Sequence, residues 1–252
     1  MIFFGLGVEN ILPETLPEGM DLLEIPAALL PAGGFAGKLE SLRKKIVLDP
    51  ADAALCRVIP EEPLRVRMSF LSRLEMRLRE LSAAHADCAV LSMDLDRMAS
   101  DAVFGGKAFA MLRNLQAAVA DLPLALAVRA RFPNGDSKDA AERLLLLLQA
   151  VPGLRAVLEL HPHEPAFAQM EPAHLKAFLL LHPVTEVVYD RSLGNRMTLP
   201  MLEKLSGLLK TDNADAEVIF RPGNLDVESF FAETAELAEL LKSRKQFQER
   251  KA

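Results

Sequence analysis

Residues 64–93 read LRVRMSFLSRLEMRLRELSAAHADCAVLSM, a long amphipathic stretch followed by a short apolar one. In the first part, apolar side chains recur every three or four residues, and arginines fill much of the other side. The repeating apolar positions are Leu64, Met68, Leu71, Leu74, Leu78 and Leu81. This period predicts a helix over Leu64–Ala84, and the apolar run Cys88–Met93 is typical of a strand buried on both faces. A helix that leads directly into such a strand is characteristic of a parallel α/β sheet.

The same alternation runs through the whole chain. The predicted strands are Ile2–Val8, Asp21–Ile25, Lys45–Asp49, Cys88–Met93, Leu124–Arg131, Leu154–His161, Glu186–Asp190 and Glu217–Arg221. The other predicted helices are Asp101–Ala120, Ser137–Ala150, Pro172–Leu181, Leu199–Leu209 and Asp226–Phe247, with shorter ones near Pro13–Gly19 and Gly37–Lys44. Eight strand–helix units in 252 residues fit a closed (β/α)8 barrel, which typically takes about 250 residues. No linker or composition break divides the chain, so the prediction is a single domain over residues 1–252.

An open, doubly wound sheet is the main alternative architecture. That fold would place a glycine-rich phosphate loop directly after the first strand. Here Gly5-Leu6-Gly7 is followed by Val8-Glu9-Asn10, with no third glycine. The two glycines are better explained by close packing inside a barrel or by a turn.

Composition excludes several classes of function. The chain carries 29 basic and 35 acidic side chains, a net charge of −6, which disfavours a nucleic-acid binder or a protein of anionic membrane surfaces. The two cysteines, Cys56 and Cys88, are far apart and form neither a disulfide framework nor a zinc motif. The predicted surface helices show no stripe that would specify a protein partner or an oligomeric state. The expected partner is therefore a small molecule.

The sequence also predicts a cytoplasmic protein. Its longest apolar stretches, such as Leu144–Leu148, are far shorter than the ~20 residues that a spanning helix needs. The apolar start Met1–Val8 has no preceding basic residue and no cleavage site, so we interpret it as a first strand and not as a signal peptide.

Charged residues collect at the carboxyl ends of the predicted strands. Side chains alternate along a strand with period two, so those entering the barrel can be predicted. In most strands the inward series begins small or apolar and then becomes charged. The charged or imidazole-bearing members include Glu24, Asp94, Asp96, Arg129, Arg131, Glu159, His161, His163, Asp190 and Arg221. Because barrel active sites lie at this end, we predict a binding cavity there. Alternatively, these residues form salt bridges that close the barrel or cap the following helices.

The densest candidate site is the sixth strand and the turn after it. Glu159 and His161 are two residues apart and are predicted to enter the same cavity, and His163 follows on the loop. A carboxylate beside an imidazole can share proton transfer or bind a divalent metal. Asp190 on the seventh strand is the best third ligand, although no full ligand set follows from spacing, so we assign no metal residues. The alternative is that Glu159 pairs with Arg129 or Arg131.

Three arginines at strand ends suggest an anionic ligand. Arg129 and Arg131 lie on the fifth strand and Arg221 on the eighth. Guanidinium groups match the oxygens of phosphate and carboxylate in a bidentate manner. The alternative is that they neutralise nearby carboxylates such as Asp94, and both roles are compatible.

Three segments resemble the xylose isomerase-like barrels, a superfamily of sugar isomerases, sugar-phosphate epimerases and endonuclease-type repair enzymes. Residues 19–25, GMDLLEI, are similar to that family's second strand. Residues 81–91, LSAAHADCAVL, are similar to a family helix and the strand after it. Residues 157–161, VLELH, fall where the family has an acidic residue and a nearby histidine on strand six.

The resemblance also implies a departure in chemistry. Metal-dependent members place a glutamate at the ends of strands five and eight, whereas this chain has Arg129 or Arg131 at the first position and Arg221 at the second. The resemblance therefore implies either metal-free chemistry or none.

The leading expectation is an isomerase or epimerase of a sugar or sugar acid. Glu159 would be the base, His161 a proton shuttle, and Arg129 and Arg221 would stabilise an enediolate. Asp190 joins the predicted catalytic set. Arg131, Asp94, His163 and Glu24 join the two arginines as predicted ligand-binding residues. The alternative is a non-catalytic barrel that binds a small anion or a protein.

Overall fold

The computed structural model describes residues 2–8, 20–30, 42–47, 62–92, 101–131, 146–160, 185–190 and 216–221, together with residues 232 and 239. Eight strands lie in these ranges. They are β1 (Ile2–Gly7), β2 (Leu22–Pro26), β3 (Arg43–Val47), β4 (Cys88–Ser92), β5 (Ala125–Arg131), β6 (Arg155–Leu160), β7 (Thr185–Asp190) and β8 (Ala216–Arg221). Each predicted strand is confirmed, most with ends within one residue of the expected ones.

The strands form one closed barrel in sequence order, and every neighbouring pair is parallel. Closure is made by β1 and β8, whose ladder pairs Gly5 with Ile219 and Leu6 with Phe220. All carboxyl ends therefore lie at one mouth of the barrel. The open-sheet alternative is wrong because β1 has strand neighbours on both sides.

Two complete helices are described, α1 (Leu64–Ala83) and α2 (Ala102–Ala118). The α2 helix begins at Asp101, whose carboxylate accepts hydrogen bonds from the backbone N–H groups of Val103 and Phe104, both at 3.0 Å. Aspartate is favoured at this position because it satisfies N–H groups that have no partner within the helix. In the parts of the chain that the structure describes, no helix has the length and apolar character needed to cross a bilayer.

The buried face of α1 differs from the predicted apolar repeat. Its buried residues are Phe70, Leu74, Leu78 and Leu81. Leu64 and Met68, which the repeat includes, are 64% and 54% exposed. The first two turns of α1 thus extend beyond the part of the helix that packs on the barrel. The repeat identified the helix but not the length of its contact with the sheet.

The start of β3 corrects a second expectation. The weak helix predicted over Gly37–Lys44 does not include Arg43 and Lys44, which lie in β3. Lys44 is buried. Its backbone N–H donates to Oδ2 of Asp87 at 2.5 Å, and the backbone N–H of Asp87 donates to the Lys44 carbonyl oxygen at 2.9 Å. Hydrogen bonds with neighbouring segments set the start of β3. The sequence does not show this start, because Arg43, Lys44 and Lys45 are all charged.

Other predicted helices are described only in part. Residues 146–150 are helical, and a turn with Gly153 at a φ of +85° follows, as the Pro152-Gly153 pair predicted. Residues 232 and 239, within the predicted Asp226–Phe247 helix, are both helical. The predicted helices Pro13–Gly19, Pro172–Leu181 and Leu199–Leu209 lie outside the described residues, as does most of Ser137–Ala150.

The barrel interior is layered. At the amino-terminal end, the Arg43 guanidinium lies 4.6 Å from the Phe3 ring centroid and 3.2 Å from the Glu217 carboxylate. Above them is an apolar layer in which Leu22 and Ile219 fill the space beside Gly5. Among the described side chains, charged groups meet again at the opposite, carboxyl-terminal mouth, where Glu24 binds Arg129 and Arg221. The apolar layer therefore separates two groups of ion pairs, and only the upper group lies where barrel enzymes bind substrate.

Candidate functional site

Three charged side chains from three non-adjacent strands meet inside the mouth. Glu24 is on β2, Arg129 on β5 and Arg221 on β8. Nη2 of Arg221 donates to Oε1 of Glu24 at 2.8 Å. Nη2 of Arg129 donates to the other carboxylate oxygen, Oε2, through a very short hydrogen bond. One carboxylate thus binds two guanidinium groups, one on each oxygen. We call these three residues the Glu24 triad.

The Glu24 triad is buried, and burial increases toward the carboxylate. The exposed side-chain fractions are 16% for Arg221, 9% for Arg129 and 3% for Glu24. Removing charges from water is unfavourable unless they are paired and hydrogen-bonded. Two guanidiniums and one carboxylate leave the triad with a net charge of +1. The arrangement therefore holds two arginine side chains in a shielded position near the mouth.

Strand alternation explains why these side chains point into the barrel. Leu22 precedes Glu24 by two residues, and Ile219 precedes Arg221 by two, so each charged residue lies one step above an apolar one on the same strand face. Ala127 precedes Arg129 in the same way and is buried beside Val90. The deeper positions fill the core, and the last ones carry the charge, as the sequence predicts.

The partner of the two arginines is a new finding. Sequence reasoning predicted Glu24, Arg129 and Arg221 as separate ligand-binding residues, with Glu159, Asp190 and Asp94 as possible partners of the arginines. The structure joins Arg129 and Arg221 through Glu24, and pairing with Glu159, Asp190 or Asp94 stays a prediction. Spacing in the sequence could not indicate this contact, because Glu24 lies 105 positions before Arg129 and 197 positions before Arg221.

The remaining predicted residues are located only by backbone register, or not at all. Arg131 is the register partner of Glu159, and Asp190 is the register partner of Arg221. The side chains of Arg131, Glu159 and Asp190 lie outside the described part of the structure, as do all atoms of Asp94, His161 and His163. Their roles at the mouth stay predictions.

Sequence reasoning did not predict a role at the site for Gly7. This residue is the register partner of Glu24, and a Cβ atom built on it would lie 2.7 Å from Cγ of Arg221. Close packing explains the glycine, as the sequence suggested for the Gly5-Leu6-Gly7 pair. The alternation of side chains along β1 could have indicated this role, since Gly5 and Gly7 both fall on the inward face of the strand.

The Glu24 carboxylate does not fit a divalent metal. Each of its oxygens already accepts a hydrogen bond from a guanidinium, and a metal bound there would lie beside two fixed positive charges. Among the residues that the structure describes, no three His, Cys, Asp or Glu side chains are grouped so that they could hold a metal ion. Glu24 is therefore a partner for arginine and not a metal ligand.

Comparison with known proteins gives the fold a wider context. No protein-family model matches the sequence, and no curated protein is significantly similar to it. Solved structures do match. An L-ribulose 3-epimerase superimposes with a TM-score of 0.65 at 11% identity, over 92% of this chain and 86% of that one. A D-tagatose 3-epimerase-like protein gives 0.61 at 13% identity, over 99% and 100%.

A xylose isomerase domain protein from Planctomyces limnophilus gives a TM-score of 0.59 at 12% identity, over 89% of this chain and 88% of that one. At such identities the similarity is one of fold, and barrels of one fold carry many different activities. The chain is a (β/α)8 barrel, similar in fold to these epimerase and xylose isomerase domain structures, and its mouth holds a carboxylate bound by two arginines.

Proposed function

We propose that this protein is a cytoplasmic isomerase or epimerase of a sugar acid or sugar phosphate, acting at the carboxyl-terminal mouth of the barrel. The observation that carries the proposal is the Glu24 triad. Two guanidinium groups are held in place there on the two oxygens of one carboxylate, at the mouth where barrel enzymes bind substrate. Preorganised cations of this kind bind anionic groups and stabilise negative charge that develops during a reaction.

The reaction would be a proton transfer next to a carbonyl group. A base removes the proton, the electrons of the C–H bond form a carbon–carbon double bond, and the carbonyl electrons move to oxygen to give an enediolate. Return of the proton to the opposite face of the same carbon gives an epimer. Its return to the former carbonyl carbon, with transfer of the hydroxyl proton to the enediolate oxygen, gives an isomer. The charge on the enediolate oxygen is what Arg129 and Arg221 would stabilise.

Glu159 is our candidate for the base, with His161 as a proton shuttle and Asp190 as a further acid or base. Glu159 lies near the carboxyl end of β6, where barrel enzymes place reacting groups. Its register partner on β5 is Arg131, a further proposed binder of the anionic group. Asp94 and His163 complete the proposed set of residues that contact the ligand.

Solvent exchange tests this proposal directly. The protein is incubated in D2O with hexuronates and with pentulose and hexulose phosphates, and proton NMR follows deuterium entering the carbon beside the carbonyl. We expect one substrate class to exchange, and Glu159→Gln to slow exchange by about a hundredfold or more, as for loss of a general base. Arg43→Met, at the opposite end of the barrel, is the matched control and keeps the wild-type rate. Unchanged turnover in Glu159→Gln would refute the assignment of the base.

A second candidate function is a non-catalytic barrel that binds a small anion or a protein. It is favoured by one observation, that Arg129 and Arg221 already bind a carboxylate of the protein itself. This candidate predicts binding of an anionic sugar by the wild type with no deuterium exchange at all. Exchange that depends on Glu159 excludes it.

Elemental analysis tests the metal-free form of the proposal. The protein is purified without added metal or chelator, and we expect no stoichiometric divalent ion. One zinc or manganese per chain would contradict this expectation. Loss of exchange after dialysis against EDTA, with recovery on adding the metal, would then show that the reaction depends on it.

A further inference from the structure

Gly7 lies on β1, the strand between those that carry Arg221 and Glu24. The strand order places β1 between β8 and β2. The backbones of Arg221 and Glu24 are therefore two strand spacings apart, ~9.5 Å in a typical sheet. Gly7 is the register partner of Glu24 on one side. On its other side lies the stem of Arg221.

The Arg221 stem runs through the space that a side chain at position 7 would fill. A Cβ atom on Gly7 would lie 2.7 Å from Cγ of Arg221 and 3.0 Å from Cγ2 of Ile219. Real Cβ atoms essentially never have contacts shorter than 3.0 Å. Because Cγ is in the middle of the arginine and not at its mobile end, the whole side chain would have to change rotamer. Any larger residue at position 7 would thus move the guanidinium away from Glu24.

Glu24 fixes the other end of the same arginine. Its side chain is the least exposed of the three, and its carboxylate binds both guanidiniums. Without this negative charge the two guanidiniums would repel each other in a shielded environment. The carboxylate therefore holds both cations together.

We infer that Gly7 and Glu24 are positioning residues, which together set the place of the Arg221 guanidinium in an anion-binding mouth without contacting the ligand themselves. The ligand-binding part rests on the proposed function, whereas the placement of Arg221 does not. Gly7 leaves the space through which the Arg221 side chain crosses β1, and Glu24 binds the guanidinium at the end of that side chain.

Binding of inorganic phosphate, measured by calorimetric titration, tests the ligand-binding part. We expect Gly7→Ala to weaken phosphate binding about tenfold, as Arg221→Met does, because either change removes one charge-assisted contact. In an Arg221→Ala background the Cγ atom is gone, so adding Gly7→Ala changes the affinity no further. Gly106→Ala is the matched control, since a Cβ at that helical position meets nothing within 4 Å.

NMR of arginine side chains tests the placement independently of any ligand. In ¹⁵N-arginine-labelled protein, the Nη signal missing from Arg221→Ala belongs to Arg221. We expect this signal to exchange slowly in the wild type and in Gly106→Ala, and rapidly in Gly7→Ala and in Glu24→Gln. If Gly7→Ala is too unstable to study, the double variant with Arg221→Ala is expected to fold, because the close contact with Cγ is relieved.

The outcomes separate the inference from the proposed function. Slow exchange of the Arg221 signal in Gly7→Ala would overturn the inference, as would a double variant that is no more stable than Gly7→Ala. If the wild type binds phosphate and Gly7→Ala binds it equally well, the inference is overturned too. Release of Arg221 by both substitutions in a protein that binds neither phosphate nor a sugar phosphate would support the placement and contradict the proposed function.

Discussion

Arg221 on β8 and Glu24 on β2 are joined by a 2.8 Å hydrogen bond although another strand lies between theirs. Arg129 reaches the same carboxylate from β5. The three residues thus connect three separate parts of the barrel wall through its interior. We expect the triad to contribute to stability as well as to the proposed ligand binding, and the two contributions can be measured separately.

The first prediction concerns stability. Glu24→Gln removes the negative charge that two largely buried guanidiniums bind and is expected to lower the free energy of unfolding by about 3 kcal/mol. The combined change Glu24→Leu, Arg129→Met and Arg221→Met removes all three charges and should be close to the wild type. Urea denaturation measures both. If the triple variant is as unstable as Glu24→Gln, the triad is not the source of the loss.

The second prediction concerns the charge of the ligand. Arg129→Met is expected to weaken binding of a phosphorylated sugar about tenfold or more, because a hydrogen bond between charged groups contributes roughly 1.5–3 kcal/mol. Binding of the unphosphorylated sugar should hardly change. Calorimetric titration with both sugars gives the comparison, and Arg43→Met at the other end of the barrel is the control. Equal affinity of the wild type for both sugars would mean that the arginines are structural.

The third prediction separates the buried and exposed parts of α1. Leu78 is fully buried, so Leu78→Ala is expected to cost about 3 kcal/mol of unfolding free energy through lost contacts and a new cavity. Leu64 is largely exposed, and Leu64→Ala should change stability by less than about 0.5 kcal/mol. Chemical denaturation of both variants tests this. Equal effects would show that the start of the helix is also packed.

The fourth prediction concerns the start of α2. Asp101→Ala removes the acceptor for two backbone N–H groups and is expected to lower the unfolding free energy by about 1 kcal/mol. Asp101→Asn keeps an acceptor oxygen and should retain most of the stability. Thermal unfolding ranks the three proteins. Asp121→Ala, at an exposed position beyond the same helix, is the control, and a loss as large as that of Asp101→Ala would indicate a general charge effect.

Local pattern was sufficient to find the strands but not all of their limits. Short apolar runs such as Cys88–Met93 are readily recognised, because a strand buried on both faces has no polar alternation. The start of β3 was missed because Arg43 and Lys44 are charged, and their place in the sheet depends on bonds to Asp21 and Asp87. Such bonds link segments that are distant in sequence.

The sequence by itself determined which residues face the barrel interior near its mouth. Side chains alternate along each strand with period two, independently of the other strands. On the inward face this places Glu24, Arg129 and Arg221 directly after apolar or small residues. That these three meet was decided only by the tertiary structure. Closure of β1 on β8 brings Arg221 to within one strand of Glu24, and Gly7 leaves the space through which they bind. A contact across the inside of a barrel depends on strand order and register together, and neither is encoded in any one segment of the chain.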